Sequence, residues 1–99
     1  VDDRRPPRSS EEELHLEIAG EVQGVGFRVG LYREAQRRDV TGWVRNRSDG
    51  RVEALLQGAR EDLEVLEEWC RRGPRYARVE AVEARWEPRG AKCPSFEID

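Results

Sequence analysis

Three glycines, Gly20, Gly24 and Gly26, bracket Val22, Gln23 and Val25, and Arg28 follows two residues later. Glycine admits backbone angles that other residues avoid, so this stretch is expected to be a loop. A loop of this kind between a strand and a helix start aims several backbone N–H groups at one point, and the helix dipole adds partial positive charge there. The chemistry is that of an anion cradle. A cation in a helix's first turn is disfavoured by about some tenths of a kcal/mol. A bound phosphoryl group would reverse the sign, because a guanidinium grips two of its oxygens in a planar fork. The same composition also suits a plain tight turn with Arg28 solvated, and spacing alone leaves both readings open. No lysine follows the glycines in the order of a nucleoside-triphosphate P-loop, and the dinucleotide fingerprint is absent too.

Other residues with chemical capacity are few. Asn46 carries a donor and an acceptor, but it precedes a turn, where asparagine commonly serves the backbone. Arg45 and Arg47 alternate to the opposite strand face and are expected on the solvent side. His15 also alternates away from the core. With that single histidine and only two thiols, Cys70 and Cys93, neither a disulfide framework nor a four-ligand zinc site is expected. Cys70 falls on an apolar helix stripe, where a small thiol packs as a hydrophobe. Thr41 could hydrogen-bond at a site, though β propensity explains it equally well.

The elements that must position these residues follow from periodicity. Val1 to Glu13 is rich in Asp, Arg, Pro, Ser and Glu and is expected to be a flexible tail, with the folded domain running from 14 to 99. Leu14, Leu16 and Ile18 alternate with His15 and Glu17 as a half-buried strand. After the glycine loop, Leu31, Tyr32 and Ala35 give a short amphipathic helix starting near Phe27 or Arg28. Val40 to Arg47 and Arg51 to Gly58 flank Ser48-Asp49-Gly50 as a hairpin. Leu63, Leu66 and Cys70 form the stripe of a second helix, ended by Gly73-Pro74. In Arg78 to Glu87 the pair Val79 and Ala81 is out of phase with Val82, Ala84 and Trp86, so a bulge or an ambiguous inner face is expected. Phe96 and Ile98 suit a short last strand.

Strand, helix, strand, strand, helix, strand is the ferredoxin-like α+β sandwich: a four-stranded antiparallel sheet, with room for a short fifth strand, and two helices on one face. Right-handed crossover makes the first and second strands parallel with the third between them. The glycine loop and Asn46 then come together at one end of the sheet. Trp43 and Trp86 are expected to pack rather than to stack bases, and the first strand lacks the exposed aromatics of an RNA-recognition sheet.

Gly20-Glu21-Val22-Gln23-Gly24-Val25-Gly26-Phe27-Arg28, then Thr41-Gly42-Trp43-Val44-Arg45-Asn46, then Asp49-Gly50-Arg51-Val52-Glu53, resemble the acylphosphatase family. The similarity covers about residues 14 to 98. It implies a small enzyme that hydrolyses acyl phosphates to a carboxylate and inorganic phosphate, without metal or organic cofactor. The family's catalytic arginine falls on Arg28 and its catalytic asparagine on Asn46, and its phosphate-binding loop on Gln23, Gly24, Val25, Gly26 and Phe27. Glu21 departs from the Arg or Lys that the family often carries.

Acyl phosphates already possess a good leaving group, so a protein of this kind need only hold the phosphoryl oxygens and aim a water in line. Loop amides and Arg28 would hold the phosphate, Asn46 would orient the water, and the substrate's own phosphate is left as proton acceptor. The alternative is a non-catalytic phosphate-binding module of the same fold. The expected partners are the acyl phosphate and inorganic phosphate, the latter as product and competitor, and the expected state is a monomer. Charged residues make up 39% and hydrophobic ones 36%, with 18 basic against 21 acidic side chains interspersed along the chain. No whole-molecule field would draw in nucleic acid or an anionic bilayer. No segment approaches the roughly eighteen apolar residues of a membrane span, and no secretory signal is evident, so a cytoplasmic protein is expected.

Overall fold

The structure, a computed structural model, describes residues 11–99. Its elements are β1 (Glu11–Glu21), α1 (Phe27–Arg37), β2 (Thr41–Asn46), β3 (Val52–Ala59), α2 (Arg60–Arg72), β4 (Arg78–Pro88) and β5 (Phe96–Ile98). The strand order is β4-β1-β3-β2-β5. β1 pairs antiparallel with both β3 and β4, β2 pairs antiparallel with β3, and β5 lies parallel to β2. The result is the expected ferredoxin-like α+β sandwich, with the fifth strand present and the sheet mixed rather than wholly antiparallel.

Alternation sets the two faces. Leu14, Leu16 and Ile18 of β1, Val44 of β2, and Val52, Ala54 and Leu56 of β3 are fully buried beneath the helices. Phe27, Leu31 and Ala35 of α1 and Leu63, Leu66 and Cys70 of α2 meet them from above. A side chain of this size contributes about 1.5–3 kcal/mol when fully buried, so this two-layer seam holds the domain together. Glycine at position 30 is required by that seam. A Cβ there would lie 2.8 Å from the indole of Trp69, which itself meets Phe27 edge-on at 5.3 Å.

Two boundaries differ from the sequence reading. Of the expected tail, residues 1–10 lie outside the described residues, whereas Glu11, Glu12 and Glu13 belong to β1. Glu12 and Glu13 are paired on both sides, Glu13 opposite Gln57 and Glu87, and Glu11 pairs with Ala59 alone. Their carboxylates are held by Arg89, Arg60 and Gln57 at 2.8–2.9 Å. Those partners are far away in sequence, so composition could not reveal them. The bulge expected in the fourth strand is present: Ala81 faces Ala19 but Val79 faces Gly20, so Glu80 is the extra residue.

The connection from β4 to β5 crosses beneath the sheet and is latched by Gln57. Its side-chain nitrogen donates to the Ala91 carbonyl at 2.9 Å and its oxygen accepts from the Cys93 amide at 2.8 Å. Among the described residues, no helix is long and apolar enough to cross a membrane.

Candidate active site

β1 ends at Glu21, and the chain turns through Gly24 (φ 75°) and Gly26 (φ 83°) before α1 begins at Phe27. Both angles lie in the left-handed region, where a side chain would be strained. Gly26 is the N-cap of α1 and supplies no side-chain cap, while its carbonyl accepts from the Gly30 amide at 3.0 Å. The first-turn amides of the helix therefore have no capping side chain, the condition for holding an anion.

Parallel placement of β1 and β2 brings the end of β2 beside this loop. Asn46 lies on the same strand face as Val44, towards the helices. Val22, Gly24, Gly26, Phe27, Arg28, Val29 and Asn46 line one cavity of about 80 Å³. A water occupies ~30 Å³ in the liquid, so the hollow suits a single small tetrahedral group. The Asn46 Oδ1 is buried and has no hydrogen-bond partner. Leaving a buried acceptor unsatisfied costs about 1–3 kcal/mol, so a donor belongs at that atom. Arg28 is half-buried, and its Nη1 donates to the Asp99 carbonyl oxygen at 2.6 Å. A guanidinium has five N–H donors, so four remain.

Of the residues expected at the site, Gly24, Gly26, Phe27, Arg28 and Asn46 come together. Gln23 and Val25 do not line the cavity. Val25 packs against the core. The Gln23 side-chain nitrogen donates to the carbonyls of Arg47 and Arg51 at 2.7 and 2.9 Å, fastening the loop to the turn that follows Asn46. Sequence reasoning also missed Val22 and Val29 as cavity walls. The alternation along β1 stops at Ile18, so no periodic signal reached them. Glu21, which departs from the family's Arg or Lys, is exposed and does not line the cavity.

The opposite sheet face carries a separate polar network. His15 Nε2 and Glu53 Oε2 lie 2.6 Å apart, and Arg45 binds the other oxygen of Glu53 at 2.6 Å while lying over the Trp43 ring at 5.3 Å. Arg47 and Arg51 bind Glu17 at 3.4 and 3.2 Å. Arg45 and Arg47 do face away from the core, as paired rather than freely solvated charges. His15 is half-buried within the network. The donor atoms of His15, Glu17 and Glu53 lie within 4.8 Å of one another, a spacing compatible with a cation, but three arginines already pair with those carboxylates. Burial pushes the Glu53 carboxyl up, and hydrogen bonds from His15 and Arg45 more than offset this, leaving it below its ordinary range.

A larger hollow of about 420 Å³ between the helices is walled by Val65, Trp69, Arg72 and the four carboxylates Glu34, Glu61, Glu64 and Glu68, a net negative lining that disfavours a phosphate. Burial pushes the Cys70 thiol far up, so it remains an inert packing group.

The acylphosphatase family model matches residues 14–98. An acylphosphatase of Roseiflexus sp. (strain RS-1) is 51% identical over 84 residues, covering 85% of this chain and 90% of that protein. An acylphosphatase of Pyrobaculum arsenaticum is 53% identical over 85 residues, with the same coverage. The crystal structure of acylphosphatase from Bacillus subtilis superposes with a TM-score of 0.86 at 33% identity, over 89% of this chain and 98% of that one. The chain belongs to the acylphosphatase family and is an enzyme of that class.

Proposed function

We propose that the protein hydrolyses the carboxyl-phosphate bond of acyl phosphates by in-line attack of a water that Asn46 orients, with the phosphoryl group held by Arg28 and the loop amides. The observation that carries this reading is the buried, unpartnered Asn46 Oδ1 in the same cavity as Arg28 and the glycine loop. An oxygen so placed accepts a hydrogen bond from water and aims its lone pair at phosphorus.

The new bond forms between water oxygen and phosphorus as the bond from phosphorus to the acyl oxygen breaks, and the electron pair of that bond leaves with the carboxylate. A non-bridging phosphate oxygen takes the proton of the attacking water. Negative charge on the equatorial oxygens meets the amides of the cavity-lining loop residues Gly24, Gly26 and Phe27 and the Arg28 guanidinium, which need no reorganisation at the moment of reaction. The Asp99 carbonyl oxygen that accepts from Arg28 Nη1 is an oxygen acceptor of the kind a phosphoryl group would offer the same guanidinium.

The cavity-lining side chains are Val22, Phe27, Arg28, Val29 and Asn46, none of them a carboxylate, imidazole or thiol. N–H donors and a guanidinium attract an anion and repel a cation, so this donor set supports a reaction without a metal or organic cofactor. Benzoyl phosphate hydrolysis by wild type and Arg28→Gln, side by side with a chelator present, tests the proposal. Turnover by wild type and its near-loss in the variant are expected. Phosphate binding without turnover in the wild type would establish the non-catalytic module instead.

A further inference from the structure

The cavity of about 80 Å³ that gathers the glycine loop, Arg28 and Asn46 suits a phosphoryl group and leaves no room for an acyl chain beside it. The acyl part of a substrate must therefore lie outside, and the reaction sets the side on which it leaves. In an in-line displacement the attacking and leaving oxygens occupy opposite apices about phosphorus. On the hydrolytic reading above the water sits at the unpartnered Asn46 Oδ1. The acyl oxygen then points away from Asn46 and from the sheet that carries it.

Helical geometry decides what stands on that side. Phe27, the first residue of α1, is 1% exposed and meets Trp69 edge-on in the core. Val29 follows two residues later, about 200° further round the helix, and so turns away from the sheet. It is 46% exposed, although it is apolar and lines the cavity. No other wall has free apolar surface. Val22 is as deeply buried as Phe27, and Gly24 and Gly26 carry no side chain. A Cβ at either glycine would meet nothing within 4 Å, so the loop leaves open space there for a chain to pass.

A second hollow, of about 310 Å³, shares Asn46 with the cavity and is otherwise lined by Arg45, Arg47 and Ser48. Its polar walls suit water. It adjoins the atom that holds the attacking water, the side from which in-line displacement excludes the leaving group. Its two arginines are also engaged, Arg45 by Glu53 and Arg47 by Glu17 and Asp49.

We infer, on that hydrolytic reading, that Val29 is the surface over which the acyl group leaves the cavity, a specificity-determining residue that favours substrates with an extended apolar acyl chain over acetyl phosphate. Each methylene fully withdrawn from water strengthens binding about fourfold. Val29 covers one flank of the chain, so the two methylenes that butanoyl phosphate adds to acetyl phosphate together gain about threefold to tenfold. A contact of this kind persists from the bound substrate to the transition state, so it lowers KM and leaves kcat alone.

Steady-state kinetics on acetyl and butanoyl phosphate compares leaving groups of nearly equal basicity, so the ratio of their kcat/KM values reads the contact with the chain. Wild type is expected to favour butanoyl phosphate about threefold to tenfold, through KM. Val29→Thr keeps the branched shape but replaces a methyl by a hydroxyl, and it should bring the ratio within about twofold. Val29→Ile should keep or raise the wild-type ratio. Because Val29 is exposed, circular dichroism of both variants should match wild type. A wild-type ratio near one, or a preference that persists undiminished in Val29→Thr, would overturn the role of Val29 and leave the hydrolytic reading standing. Turnover of neither substrate by wild type would overturn both.

Discussion

The Gln23 side chain bridges two carbonyls across the β2–β3 turn, Arg47 at 2.7 Å and Arg51 at 2.9 Å. Arg47 directly follows Asn46, so the glycine loop and the end of β2 are fastened to each other through one carboxamide. Gln23→Ala removes both bonds without touching a cavity wall. Each such bond is worth about 1 kcal/mol, and a misplaced cradle should lower kcat/KM about tenfold, mostly through kcat. Gln23→Glu, which repels both carbonyls, should be worse. Steady-state kinetics on benzoyl phosphate with circular dichroism as a fold control checks this, and unchanged kinetics in both variants would remove the positioning role.

Arg28 and Asn46 should fail in different ways. Loss of one preorganised donor to transition-state charge costs about 10²–10³ in rate. Arg28→Gln is expected to lose at least that in kcat/KM and to raise the inhibition constant of inorganic phosphate in parallel. Asn46→Ala should lose a similar factor in kcat while phosphate inhibition moves by less than about threefold, because it acts on water rather than on the phosphoryl group. If Asn46→Ala abolished phosphate inhibition with the fold preserved, the asparagine would be a phosphate ligand instead.

Gly30 faces the Trp69 indole too closely for a Cβ to fit at 2.8 Å. Alanine would gain about 0.5–1 kcal/mol in helix propensity, yet forcing a methyl into a packed seam costs about 1–3 kcal/mol. Gly30→Ala is therefore expected to be net destabilising by about 1 kcal/mol, read as a lower urea midpoint. Trp69 emission should shift as the ring moves off Phe27. A raised midpoint would show that the indole yields freely.

Glu53 gives stability an acid limb. Burial pushes its carboxyl up in the folded state, but the hydrogen bonds from His15 and Arg45 outweigh this and leave it below its ordinary value. A depressed carboxylate contributes stability that is present above the unfolded value and is lost as pH falls through the folded one. Urea midpoints should therefore decline below about pH 4.5, and Glu53→Gln should flatten that decline while lowering stability near neutrality. An identical acid limb in the variant would place the titration elsewhere.

Most of the fold was legible because the core strands and α2 write their burial into local periodicity: Leu14, Leu16 and Ile18 by twos, Leu63, Leu66 and Cys70 by helical spacing. The broken phase of Val79, Ala81 and Val82 likewise allowed a bulge, which the structure places at Glu80. Glu11 to Glu13 read as tail because their partners, Ala59, Arg60 and Arg89, lie far along the chain. In the same way, no local pattern foretells that Phe96–Ile98 would run parallel to β2.

By itself the sequence determined the local frame of the candidate site, since the glycines favour a left-handed turn before a helix and Arg28 follows in that helix's first turn. Tertiary structure decided the rest: that crossover topology sets Asn46 at that helix start, that its Oδ1 is buried without a partner, and that Gln23 clamps rather than lines the cavity. The division has a physical cause. Backbone torsion preferences act over a few residues and can be read locally, whereas burial and hydrogen-bond partnership depend on segments that meet only when the sheet closes.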